Sequence, residues 1–169
     1  GISGMGRIGK IHTQNVQRNS APVGIKAAYH TNPNTKAWAQ LQGVTHFYDH
    51  YKELIEDPAI DAIIIASPTA VHAEQIILAA KAGKAIFAEK PIDLNREKVD
   101  EVVRVLEETK VPFFLAFNRR FDPCVEDIKN TIVEGKIGTP EIIKVISRDP
   151  APPPLAYIPT SGGLFLDMA

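Results

Sequence analysis

A single cysteine, Cys124, among 169 residues removes two chemistries at once, because no disulfide can close within the chain and no cysteine-rich metal cluster can form. A reducing, cytoplasmic setting is the expectation. Cys124 itself, between Pro123 and Val125, reads as a packing residue and not as a reactive thiol. Charge of one sign is also lacking: 19 Lys+Arg against 20 Asp+Glu give a formal net charge of −1. With no run of five or six like charges, the chain offers no footprint for nucleic acid or an anionic membrane. No apolar stretch approaches the ~20 residues that span a bilayer, and Arg7, Lys10 and His12 interrupt any apolar signal segment near the start. The histidines at 12, 30, 46, 50 and 72 show no metal-ligand pairing, and neither a Gly-x-Ser-x-Gly turn nor a Walker lysine occurs. Metal sites and nucleophilic triads are therefore disfavoured. A small-molecule partner is expected.

What the chain does have is a regular alternation of short apolar runs with longer segments of helical period, the pattern of βαβ units and a parallel sheet. It predicts an α/β, Rossmann-type doubly wound domain. Strands are expected at Val23 to Tyr29, His46 to Tyr48, Ala62 to Ala66, Lys84 to Ala88 and Phe113 to Phe117. The run Ala62-Ile63-Ile64-Ile65-Ala66 has no polar alternation, as a strand covered on both faces requires. Ala73, Ile76, Ile77 and Ala80 recur at i, i+3, i+4, i+7, and Val99, Val102, Val103 and Leu106 do the same, which marks two amphipathic helices. A further helix is expected from Asp122-Pro123 to Gly135 or Gly138. Residues 141–148 alternate like a strand, and the proline-rich 149–154 forms a stiff connection. The expected organisation is a dinucleotide-binding domain over 1–121 and the start of a second, α+β domain over 122–169. Both ends read as cut, with only Gly1-Ile2-Ser3 left of a first strand that usually runs about 5–6 residues.

Gly4-Met5-Gly6-Arg7-Ile8-Gly9 is a phosphate-binding turn: the first glycine permits the turn, the second admits a pyrophosphate to the backbone, and the third lets helix pack on sheet. The anion then rests on helix N–H groups. The acid expected about 20 residues on, for the ribose hydroxyls, is replaced by Tyr29-His30-Thr31-Asn32-Pro33. No carboxylate repels a 2′-phosphate there, so NADP is as plausible as NAD. Asn32 is either a ribose ligand or a turn former. Ser67-Pro68-Thr69 follows a buried strand at the carboxyl edge where α/β ligands bind, with His72 one turn later, although the same residues would also serve as an ordinary helix cap. Lys90, between Glu89 and Pro91, ends its strand at that edge; it is either a solvated strand-end lysine or, partly desolvated, a group that takes or shares a hydroxyl proton during oxidation of a secondary alcohol. Arg119 and Arg120 follow Asn118 after the Phe113 to Phe117 strand, placed either for an anion or polyol or as a surface pair. Asp149 and Asp167 are candidate acids near a second domain.

Taken in order, Gly4 to Gly9, Ala66-Ser67-Pro68-Thr69 with His72, Glu89-Lys90-Pro91 and Phe117-Asn118-Arg119-Arg120-Phe121-Asp122-Pro123 resemble the Gfo/Idh/MocA oxidoreductases. Residues 147–153 and 161–168 are similar to its inositol dehydrogenase branch. The resemblance implies hydride transfer from a cyclic polyol or sugar to a nicotinamide. It makes Lys90 the catalytic lysine and Asp167 the acid that, with a histidine four residues later, forms a proton relay. Gly4, Gly6, Arg7, Ile8, Gly9, Asn32, Ser67, Pro68, Thr69, His72, Glu89 and Lys90 would border the cofactor, and Arg119 and Asp149 would touch the polyol. A homo-oligomer is implied, formed through the second-domain sheet. Two rivals stand beside this reading: an NADP-linked sugar or diol reductase of the same fold, and a non-catalytic dinucleotide-binding paralogue, which would gain if the native product ended at Ala169.

Overall fold

The structure is a computed structural model that describes residues 1–19, 22–30, 32–148, 151–155 and 157–163. Asp149 and Asp167 lie outside the described residues. The elements run β1 (Ile2–Ser3), α1 (Arg7–Arg18), β2 (Ala27–Tyr29), α2 (Lys36–Leu41), β3 (His46–Tyr48), α3 (Tyr51–Glu56), β4 (Ala62–Ile65), α4 (His72–Lys81), β5 (Ala85–Ala88), α5 (Arg96–Thr109), β6 (Phe113–Leu115) and α6 (Pro123–Val133). The strands form one sheet in the order β3-β2-β1-β4-β5-β6, with every neighbouring pair parallel. That is the doubly wound Rossmann order, in which the direction of winding reverses between β1 and β4. Short as it is, β1 is central: Ile2 pairs with Ala28 on one side and Ile64 on the other.

Strand parity distributes the core. Ile63 and Ile65 of β4, with Ala27, Ile86 and Ala88, face Leu54 of α3, Ile76 of α4 and Val102 of α5. The intervening Ile64 packs with Ile2 and Ala28 against Val16 of α1 and Ala39 of α2. Both faces of the sheet are thus covered, as the unbroken apolar run of β4 demands. Leu54, Ile63, Ile65 and Ile76 are 0% exposed, and each contributes roughly 1.5–3 kcal/mol relative to an exposed side chain.

Local chemistry fixes the helix ends. Asn95 Oδ1 accepts from the N–H groups of Glu97 (2.7 Å) and Lys98 (3.3 Å) and starts α5, while Lys110 closes it in the left-handed region at φ 54°. Asp122 Oδ1 accepts from Cys124 N–H at 2.9 Å, and Pro123 occupies the first turn of α6.

Three expectations need correction. Strand β2 is confined to three residues because β1 and β3 offer ladder partners only to Ala27, Ala28 and Tyr29; Val23 stays exposed outside it. Residues 141–148 form no strand. Alternation cannot make a ladder without a neighbouring strand, and among the described residues none pairs with them, which leaves Ile142, Ile143, Val145 and Ile146 exposed. Cys124 is exposed, not packed, because α6 buries none of its residues against the described chain.

Candidate functional site

Parallel ladder bonds continue just past the strands and bring four loops level at one edge of the sheet. Gly4 N–H donates to Tyr29 O (2.9 Å), Ala66 N–H to Ser3 O (2.8 Å), Glu89 N–H to Ile65 O (2.9 Å) and Ala116 N–H to Ala88 O (2.8 Å). These loops follow β1, β4, β5 and β6. They frame an open cleft of about 730 Å³ whose walls include Arg7, Ser67, Thr69, Glu89, Lys90 and Asn118. It lies at the carboxyl edge beside the β1–β4 reversal, where ligands of such sheets bind.

The three glycines of the turn, Gly4 and Gly6 in the first loop and Gly9 in the first turn of α1, meet different demands. Gly4 has φ +90°, and a Cβ there would lie 2.5 Å from Ser67 N. A methyl on Gly9 would overlap the Gly4 carbonyl oxygen. At Gly6 nothing lies within 4 Å of where a Cβ would be, so open space adjoins the first N–H groups of α1. Gly6 caps that helix without any side-chain hydrogen bond. An exposed helix N-terminus beside open space suits the pyrophosphate of a dinucleotide.

His30 holds this loop: Met5 N–H donates to its Nδ1 at 2.9 Å. Burial, with the Lys10 charge second, pushes the His30 imidazole below its ordinary range, consistent with a ring nitrogen kept unprotonated as an acceptor. Asn32 is exposed, and its Oδ1 accepts from Asn34 N–H at 3.0 Å. The turn-forming role of Asn32 is therefore present in the structure.

Lys90 is exposed at the cleft wall, as a solvated lysine at a strand end would be, and its bond to Pro91 is cis. Beside it, Glu89 Oε1 lies 2.7 Å from Nε2 of His12 on α1, and the His12 ring meets Phe87 edge-on at 5.1 Å between centroids. Ile8, Pro68 and His72 also line the cleft, although His72 is only 2% exposed. Arg119 does not line it: its guanidinium donates to Asp122 Oδ2 at 3.3 Å, outside, and Asn118 takes the wall position.

Sequence reasoning did not single out Asp93, Lys98, Tyr157 or Thr160, all of which line the cleft. For Asp93 a signal existed in its place two residues after Pro91. Tyr157 and Thr160 follow the proline-rich connection, and no spacing rule ties such a segment to a particular loop.

A doubly wound sheet with a glycine turn and an open helix N-terminus after β1 and a lysine just past β5 defines a dinucleotide-binding domain of the oxidoreductase kind. The chain belongs to the Gfo/Idh/MocA oxidoreductase family, whose NAD-binding Rossmann-fold model matches residues 1–117. It is 40% identical over 168 residues to myo-inositol 2-dehydrogenase of Thermotoga maritima, covering 99% of this chain and 50% of that protein. A crystal structure of a probable dehydrogenase from Thermotoga maritima superposes with a TM-score of 0.91 at 41% identity, over 99% of this chain and 50% of that one. Scyllo-inositol dehydrogenase from Lactobacillus casei, solved with bound NAD(H) and scyllo-inositol, gives 0.78 at 35% identity over 81% of this chain and 41% of its own. The chain spans about half the length of the relatives it matches. Among the described residues no helix is long and apolar enough to cross a membrane.

Proposed function

We propose that the protein carrying this chain oxidises a cyclic polyol of the inositol type with NAD or NADP. The observation that carries the reading is the junction of Lys90 and Glu89 with the glycine-turn side in one cleft, in a family of NAD-binding oxidoreductases. Relatives named as inositol dehydrogenases support the substrate class.

A bound nicotinamide would supply the hydride acceptor. Gly4, Gly6 and Gly9 shape the turn under its pyrophosphate, with Arg7 and Ile8 opening α1 beside it. Ser67, Pro68, Thr69 and Glu89, which line the cleft, would border the nicotinamide, and Asn32, past the end of β2, would hydrogen-bond the ribose. Lys90 takes or shares the proton of the reacting hydroxyl, and Asp167, with a partner histidine, passes it onward. Asp149 would orient the polyol, and Arg119 would join it only by turning its guanidinium from Asp122 into the cleft.

In domain terms, residues 1–121 bind the dinucleotide and 122–169 begin the substrate and oligomerisation domain. The end of the family match at residue 117 and the bare surface of α6 support that boundary.

Lys90→Ala and Asp167→Asn, made in the full-length protein and assayed with inositols and both coenzymes, test the reading. Turnover should fall by about 10²-fold or more while cofactor affinity stays near wild type. Unchanged turnover in both variants overturns the assignment. The same assay decides the coenzyme: with no carboxylate at the end of β2, NADP should bind comparably to NAD.

A further inference from the structure

A buried polar knot lies beneath the cleft floor and is anchored on the first turn of α4. His72 places Nδ1 2.8 Å from the carbonyl oxygen of Pro91 and Nε2 2.7 Å from that of Ser67. Carbonyl oxygens only accept, so a ring N–H donates to one of them while the ring, wedged between the two, spans the gap from one loop to the other. Three residues on, along the same helix face, Gln75 Oε1 accepts from the hydroxyls of Ser3 and Ser67, each at 2.8 Å. Gln75 is 6% exposed and Ser3 is 0% exposed. One helical turn therefore ties together β1, the loop after β4 and the loop after β5. The Pro91 carbonyl belongs to the residue directly after Lys90, and Ser67, on the loop after the neighbouring strand β4, lines the same cleft.

We propose that His72 is the positioning residue of Lys90. Its ring nitrogens are engaged by main chain, so it acts on the loops and not on a ligand. By clamping the Pro91 carbonyl to the Ser67 carbonyl it sets the separation of the two loops and the direction in which the Lys90 side chain leaves the main chain. Gln75 holds the Ser67 side of the clamp in place. The inference rests on the reading of Lys90 as the proton acceptor.

The test compares His72→Gln, Lys90→Ala and the double variant in the full-length protein, reading kcat with an inositol substrate, NAD affinity and thermal unfolding. A glutamine amide still donates but cannot span both carbonyls. The expected result for His72→Gln is a kcat lowered by about 10- to 100-fold with NAD affinity retained. In the Lys90→Ala background the same substitution should have little further effect, because there is no ammonium left to aim. Unchanged kcat, or a loss that multiplies fully with that of Lys90→Ala, overturns the positioning role. His72→Asn is carried in parallel. If both His72 variants lose the wild-type unfolding transition and activity falls only with the folded fraction, the role is structural and the proposal fails. Unchanged turnover in Lys90→Ala alone overturns the proposed function and this inference with it, whereas a fall there with none in His72→Gln overturns the inference only.

Discussion

Gly4, Gly6 and Gly9 belong to one glycine motif yet predict two kinds of mutant. Gly9→Ala must push against the Gly4 carbonyl and Gly4→Ala against the loop after β4, so each should destabilise the fold by about 1–3 kcal/mol or more, read from denaturant unfolding. Gly6→Ala meets nothing. It should cost less than about 1 kcal/mol in stability yet weaken dinucleotide binding by about tenfold, or about 1.4 kcal/mol, because the methyl occupies the space a pyrophosphate needs. Calorimetric titration with NAD checks the difference. His30 adds a pH dependence. The folded chain favours its neutral form, so its contribution is fully present above the unfolded value of about 6.5 and is lost as pH falls through the lower folded value. Stability should therefore decline more between about pH 7.5 and pH 5 in the wild type than in His30→Gln; parallel profiles would refute it. At this scale the glycine turn was legible because its spacing carries the geometry. The partners of His12, His30 and His72 were not, since each contact joins residues brought close by the sheet edge or a helix turn and not by any motif.

At the scale of elements, α5 depends on its first turn. Asn95 is the cap that accepts from two N–H groups, and Asn95→Ala should cost about 0.5–2 kcal/mol by chemical denaturation, with Asn95→Asp restoring most of it. Helices α4 and α5 were readable because their apolar positions repeat over at least two turns. Helices α2 and α3 have six residues each, too few to establish a period. The strand expected over residues 141–148 failed for the opposite reason: its pattern is clear, but a pattern becomes a strand only where another strand accepts its hydrogen bonds.

At the scale of the whole molecule, apolar surface is concentrated past β6. Ile142 is 88% exposed, Ile143 77%, Val145 82% and Ile146 66%, and patches of this kind mark association sites or aggregation hazards. Changing these four residues to serine in the 169-residue chain should reduce its self-association in size-exclusion chromatography and leave NAD affinity unchanged. The class of fold was legible throughout, since β4 and the periodic helices α4 and α5 announce a parallel sheet. The central position of β1 has a consequence in time. Ile2 must pair with Ile64 as well as with Ala28, so a ribosome has to make 62 further residues after Ile2 before the second side of that strand can close. At roughly 5–20 residues per second, the middle of the sheet waits about 3–12 s for its second neighbour during synthesis.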